Sequence, residues 1–402
     1  MKRSIYMDYA ATTFVRQGVL DEMMPYFKDN FANPSSLYSF SEINKSAIKL
    51  ARHKVAKVIN SDENEVYFTS GGSESDNWAI KGIAFANRAR GNHIITSQIE
   101  HHAILNASKF LEKNGFSVTY LPVDSEGFIK IEDLKNAITE KTILVSIMFA
   151  NNEIGTIEPV SEIGKICREK GIYFHTDAVQ AVGHLPIDVK SMNIDLLSMS
   201  GHKFYGPKGV GVLYIRKGVK IDNLIDGGAQ ERGKRASTEN VSGIVGLGKA
   251  IEIAGEELDF EINRLRVLRD KIIEGILNKV PNAKLNGPRG DNRLPNNVNI
   301  SFVGVEGETL LFDLDDAGVF VSTGSACASG SLEPSHVLLS IGLSHEVAHG
   351  SVRMTLGLNT TEEDVDYVLD VLPKIVERRR AMSPLWSQIL DREEQISCTA
   401  RK

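Results

Sequence analysis

Apolar positions in residues 42–59, EINKSAIKLARHKVAKVI, recur at helical spacing, and Ser41 stands where an N-cap belongs. Beyond this stretch, short apolar runs rich in β-branched residues alternate with longer amphipathic ones. EVYFT (65–69), HIITS (93–97), SVTYLPV (117–123), ILVSIMFA (143–150), IYFHTDA (172–178) and DLLSMS (195–200) predict strands. GVGVLYIRKG (209–218) predicts a further strand, entered through glycines. Between them SESDNWAIKGIAFANRA and SEIGKICREKG carry the helical period. Such alternation predicts an α/β fold, a doubly wound and mostly parallel sheet flanked by helices. In that architecture ligands collect at the C-terminal ends of the strands.

After residue 241 the pattern changes. One long helical stretch over 243–279 leads into NGPRGDNRLPNN, a loop dense in turn formers. Strand-like VNISFV, a loop around Cys327, strand-like VRMTLG and a charged helix over 361–381 follow. The expected organisation is a large domain over 14–255 and a smaller α+β domain made of 256–402 together with residues 1–13. The tail after Leu390 is polar and expected to be loose.

Composition narrows the classes. The 402 residues are 42% hydrophobic and 24% charged, an ordinary globular balance. A formal charge of −6 offers no basic field for nucleic acid and no polybasic membrane patch. MKRSIYMDYAATT has no apolar core of a secretory signal, and no run is long enough to span a bilayer. Cys167, Cys327 and Cys398 lie too far apart for a disulfide framework or a zinc pattern, so a reducing, cytoplasmic setting is expected.

Three polar clusters fall at predicted strand ends. TSGGSESDN (69–77) joins a strand to a helix through small residues, as a phosphate cradle does. FHTDAVQ (174–180) sets Asp177 directly after an apolar run, where a carboxylate can hold a cation or a protonated ring nitrogen. SMSGHKFYGPKG (198–209) places Lys203 where an amine can lose its proton and attack a carbonyl. Taken singly, each also describes an ordinary capped helix start or a loop lysine. Together, cradle, acid and lysine describe a site for pyridoxal phosphate.

The motifs YMDYAATT, NPSS, TSGGSESDNWAIKG, EHHAIL, ANNEIGT, FHTDAVQAVG, SGHKFYGPKG, RGKRASTEN and GSACASGSLEPSH stand in this order. Their string resembles that of NifS/IscS-type cysteine desulfurases, which are class-V aminotransferase-like enzymes of fold type I. The similarity runs from Ile5 to Trp386. It implies a homodimer that converts L-cysteine to L-alanine and captures the sulfur as a persulfide on Cys327. An iron–sulfur scaffold or another sulfur-acceptor protein is the implied partner.

By the same resemblance Lys203 is the Schiff-base lysine, Asp177 faces the pyridine nitrogen and Gln180 the phenolic oxygen. His101, rather than His102, stacks on the ring and assists proton transfer. Ser73 and the Gly72 amide, with Ser200 and His202, cradle the phosphate, and Thr238 reaches the phosphate of the partner subunit. Asn152 and Arg353 lie near the substrate carboxylate, which a guanidinium can grip bidentately.

Two positions depart from the pattern. Arg235-Ala236-Ser237-Thr238 stands where relatives carry R-x-G-T, so a serine occupies a position where glycine would permit positive φ. Leu358 stands where relatives often have arginine.

Cys327 needs thiolate character to attack sulfur, yet no lysine or arginine adjoins it in sequence. Its small neighbours suit a loop that travels from the cofactor outward, poorly ordered or displaced from Lys203. An aminotransferase or a selenocysteine-preferring lyase would share the fold, and a sulfur carrier would share the outline. A dinucleotide-binding dehydrogenase is disfavoured because no G-x-G-x-x-G follows the first strand. Cys167, within helical EIGKICREKG, reads as a core residue.

Overall fold

The computed structural model describes residues 3–323, 334–384 and 386–387; the loop with Cys327 and the tail with Cys398 lie outside the described residues. Its strands are β1 (Ile5–Tyr6), β2 (Val66–Thr69), β3 (His93–Ser97), β4 (Ser117–Leu121), β5 (Thr142–Ser146) and β6 (Tyr173–Asp177). There follow β7 (Leu196–Ser200), β8 (Gly211–Ile215), β9 (Ala283–Leu285), β10 (Asn297–Phe302), β11 (Val319–Phe320) and β12 (Ser351–Thr355). Seven strands form one sheet in the order β2-β8-β7-β6-β5-β3-β4. Within it β8 alone runs antiparallel to its neighbours. The C-terminal ends of β2, β3, β5, β6 and β7 therefore share one edge. Every residue of β3, β5, β7 and β8 is buried, as expected for a sheet covered on both faces.

A second sheet has the antiparallel order β12-β10-β9, while β1 pairs in parallel with β11. Around it Ile5 and Met7 pack with apolar side chains drawn from Leu265 to Val376, in a core separate from those on either face of the large sheet. The chain's first strand thus joins its last third.

The predicted elements are present, with three physical adjustments. The strand expected over 143–150 ends at Ser146; beyond it Ile147 and Phe149 still donate to β6 at 3.2 and 2.8 Å, while the Glu100 carboxylate takes the Met148 N–H at 2.9 Å. The stretch over 243–279 is two helices, Val241–Glu256 and Leu258–Lys279. They divide at Glu257, whose carboxylate binds Arg16 through two bonds of 2.9 and 2.7 Å. Ser41 precedes helix Glu42–Ile59 but does not cap it; its hydroxyl donates backwards to the carbonyls of Ser36 and Tyr38. Cys167 is fully buried in the core, where burial pushes its thiol pKa up.

β2 forms an edge of the large sheet, and its polar groups are covered. Glu231 accepts the Phe68 N–H at 3.0 Å, and Arg52 donates to the Val66 carbonyl. The two side chains also pair through bonds of 2.7 and 2.8 Å, both buried. An edge sealed in this way has few free groups to template aggregation. Glu231→Ala leaves the Arg52 guanidinium buried without its carboxylate, and should lower the unfolding free energy by about 3–5 kcal/mol. Urea denaturation at unchanged slope measures this; a loss below about 1 kcal/mol would mean the pair behaves as an exposed one.

Candidate active site

The turn from β2 into helix Gly72–Ala86 brings backbone closer to its neighbours than side chains allow. A Cβ at Gly72 would stand 2.6 Å from the Val179 methyl, and one at Gly211 would stand 2.6 Å from the Gly71 Cα. Gly71 holds φ at 154° and gives the helix no side-chain cap. The helix's first amides, which have no carbonyl partners within it, are left for a ligand.

At the end of β6, Asp177 is buried and accepts the Val179 N–H at 2.9 Å. After β7 the chain makes the short turn Gly201–Lys203. The Lys203 ammonium donates to the carbonyls of Ala10 and Ala11, the latter at 2.8 Å. Two residues on, Tyr205 adopts φ of 65°, a strained region for a bulky residue. Its N–H is held by the Thr13 hydroxyl at 2.9 Å, and its own hydroxyl accepts the Leu358 N–H at 2.7 Å.

One cavity of about 430 Å³ is lined by Gly72, Ser73, His101, Asn152, Asp177, Gln180, Ser200, His202, Lys203 and Arg353. The residues expected to hold cofactor and substrate from within one chain therefore converge. Thr238 is exposed and does not line this cavity. Of the two adjacent histidines, His101 faces the cavity, while exposed His102 makes an edge contact with His336, ring centres 4.8 Å apart.

Burial sets the protonation states. It lowers the His101 pKa, helped by Lys203 and His102 and opposed by Asp177. The Ala103 N–H donates to His101 Nδ1 at 3.2 Å, which places the proton of the neutral ring on Nε2. Burial, with Lys203 and Lys208, lowers His202 to about 4. Asp177 is raised by burial, while His101, the Val179 amide and Lys203 restrain the rise. Behind the wall, burial pushes Glu100 up to about 8 although Ser97 and Met148 donate to it.

Arg353 is buried, not a strand-edge surface charge. It donates to Asp8 at 2.8 Å and to the Asn152 carbonyl at 3.2 Å, and its Nε has no partner among the described residues. Both ends of the segment carrying Cys327 are tied here. Ser322 exchanges backbone bonds of 3.0 and 2.7 Å with Arg353, and the Ser335 hydroxyl donates to the Glu153 carboxylate beside Asn152.

Sequence reading missed Asp76, Ala10 and Ala11 on the cavity wall, and Asp8 behind Arg353. Asp76 follows Gly72 by one helical turn, a spacing that puts both on one face. The alanines act through backbone carbonyls, which leave no signature in residue type.

The donor set fits pyridoxal phosphate: uncapped helix amides with Ser73, Ser200 and His202 for an anion, and Asp177 and Lys203 for the ring and aldehyde. Residues 5–368 match the aminotransferase class-V family. Cysteine desulfurase IscS of Clostridium botulinum is 67% identical over 396 residues, spanning 98% of this chain and 100% of its own. A solved structure described as a NifS-like protein superposes with a TM-score of 0.88 at 41% identity, covering 93% of this chain and 99% of that one. Another, described as SspA in complex with cysteine, gives 0.78 at 41% identity over 88% and 99%. The chain belongs to the class-V aminotransferases, in their NifS/IscS-type cysteine desulfurase branch. Pyridoxal phosphate is its cofactor.

The environment of His101 makes a direct prediction. In cofactor-free protein labelled with 15N-histidine, its ring should titrate below the ordinary 6.5, with the resonance assigned by its loss in His101→Gln. A midpoint at or above 6.5 would show that Asp177 outweighs burial.

Proposed function

We propose that this protein is a cysteine desulfurase that turns L-cysteine into L-alanine and holds the released sulfur as a persulfide on Cys327. The observation that carries this reading is the single cavity gathering Lys203, Asp177, His101 and Arg353, with both ends of the Cys327 segment tied to its wall. From Thr323 an extended chain reaches Cys327 within about 14 Å, a span suited to meeting a substrate held in the cavity.

When bound, pyridoxal phosphate supplies an electron sink for bond breaking in the amino acid. Ser73, Ser200, His202 and the Gly72 amide would hold its phosphate, Gln180 its phenolic oxygen and Lys203 its aldehyde. Asp177 would keep a proton on the ring nitrogen, and neutral His101 would lie beside the ring and assist proton transfer. Asn152 and Arg353 orient the substrate carboxylate, and Lys203 takes the α-proton. The Cys327 thiolate then attacks the substrate sulfur. An S–S bond forms, the C–S bond breaks, and the β-carbon takes up a proton to complete alanine. Cysteine plus thiol thus equals alanine plus persulfide, with no outside oxidant.

The working unit in this reading is a homodimer in the cytoplasm, passing sulfur to an iron–sulfur scaffold or another acceptor protein. Thr238, exposed and away from its own cavity, is free to reach a partner's phosphate. Met24, Phe27, Phe31, Leu37 and Tyr38 are all exposed by more than half, and Leu37 by 97%. Such a concentration of apolar surface within a short stretch favours a covering partner, here a second copy. Among the described residues no helix is long and apolar enough to cross a membrane. The cores of the two sheets support a division into 14–255 and 256–402 with 1–13, and a smaller cluster of Ile99, Met148 and Ile154 with Val337, Leu338 and Ile341 packs the two parts together.

Cys327→Ala should keep the cofactor's visible absorption and its response to cysteine, yet lose sulfide release with reductant and the labelled persulfide. Normal desulfuration by that variant would remove Cys327 from the mechanism. The double variant Phe31→Glu, Leu37→Glu should sediment as a monomer and retain cofactor poorly; an unchanged dimer would place the interface elsewhere.

A further inference from the structure

Asp76 is the ionisable side chain of the cavity wall to which the proposed chemistry gives no task. It sits in helix Gly72–Ala86, 1% exposed, and its buried Oδ1 has no hydrogen-bond partner among the described residues. One oxygen of Asp76, one of Asp177 and a ring nitrogen of His101 lie within 4.8 Å of one another.

His101 lies near both carboxyls and is neutral, its pKa lowered by burial, and the other groups around Asp76 among the described residues supply it with no positive charge. From β6, His175 Nε2 approaches Oδ1 to 3.8 Å, but that ring engages the Ser146 and Ser198 hydroxyls and is neutral, held at about 3 by burial. From β7, Ser198 contributes only a hydroxyl to Asp76, and Glu100, beyond β3, brings a carboxyl and no positive charge. Asp177 is better served, since the Lys203 ammonium and the Val179 N–H both favour its charge. Two carboxyl groups this close in a buried site do not both ionise.

We infer that Asp76 is a positioning residue that stays protonated, so that it and Asp177 together carry one negative charge, located on Asp177. Burial and the proximity of Asp177 raise Asp76 well above the ordinary carboxylate range, in line with this geometry. The pair titrates as a unit. Its proton keeps a second charge out of the field that Asp177 directs at the ring nitrogen. The assignment of Asp177 to that nitrogen rests on the proposed function; the charge state of the pair does not.

Infrared difference spectra of the cofactor-loaded protein test this. Wild type should show a protonated-carboxyl band, sensitive to D2O and moved by 13C-aspartate labelling, which sets it apart from buried Glu100, and this band should persist across about pH 6 to 8, where an ordinary aspartate is ionised. The band should vanish in Asp76→Asn and, in Asp177→Asn, titrate at lower pH because the neighbouring charge is gone. A band that survives Asp76→Asn, or one unmoved by Asp177→Asn, overturns the shared charge. If Asp76→Asn does not fold, 13C-aspartate labelling of the wild type replaces it. One carboxyl carbon should then keep its protonated shift over that range, and none doing so overturns the inference. Cysteine turnover measured alongside separates the two proposals: intact turnover without the band defeats only this inference, and absent turnover with the band defeats only the function.

Discussion

A carboxylate at the buried end of β6 needs positive charge within reach, and the site is arranged around that need. Ionised groups taken from water require partners, and unpaired ones are costly. Asp177 obtains an amide two residues on and the ammonium of a lysine in the turn after β7, beside the neutral ring of a histidine at the start of the helix after β3. These groups can meet because β3, β5, β6 and β7 are parallel and end at one edge. The antiparallel β8 would crowd that edge where it begins. It starts with Gly211, which lets the turn at Gly71 lie against it.

The chain's first residues complete the wall. Asp8 binds Arg353, the Ala10 N–H donates to the Thr355 hydroxyl at 2.8 Å, and the Thr13 N–H donates to the His202 carbonyl at 3.0 Å. One strap, turned over residues 9–11, thus joins the second sheet to the lysine turn. The same Ala10 carbonyl accepts from Lys203 and from Gln180 Nε2, so backbone atoms of the strap orient two side chains expected at the cofactor. The cavity is shared between the separately cored parts of the chain and belongs to neither alone.

What could be read from residue order followed from chemistry tied to strand ends. Asp177, Lys203 and the turn before Gly72 each stand where an apolar run gives way to polar residues, and a parallel sheet brings such points together. Asp76 stands a turn inside a helix, where the strand-end pattern does not look. The carbonyls of Ala10 and Ala11 could not be read at all. Periodicity ran across the break at Glu257, because a single residue leaves the apolar repeat in phase. The missing cap at Ser41 has a similar cause, since residue type does not say which way a hydroxyl turns.

The loop before Thr238 shows how a departure from the family pattern is absorbed. Ser237 holds φ of 97°, the left-handed side that a glycine would occupy at little cost, and a residue with a side chain there stores about 1–3 kcal/mol of strain. Its neighbours restrict the alternatives: Ala236 is buried, and Arg235 grips Glu74 with bonds of 2.8 and 3.0 Å. Glu74 lies in the first turn of the helix whose amides face the cavity, where a negative side chain suits the helix dipole but repels an incoming phosphate. Its pKa is lowered, with Arg235 the strongest of the groups opposing burial, so it is the ionised carboxylate that must be neutralised. The guanidinium does this while Glu74 also accepts the Ser70 N–H at 2.8 Å, tying the cradle to the loop that presents Thr238. The strained serine is thus carried by the same pair of charges that leaves the helix terminus attractive to an anion.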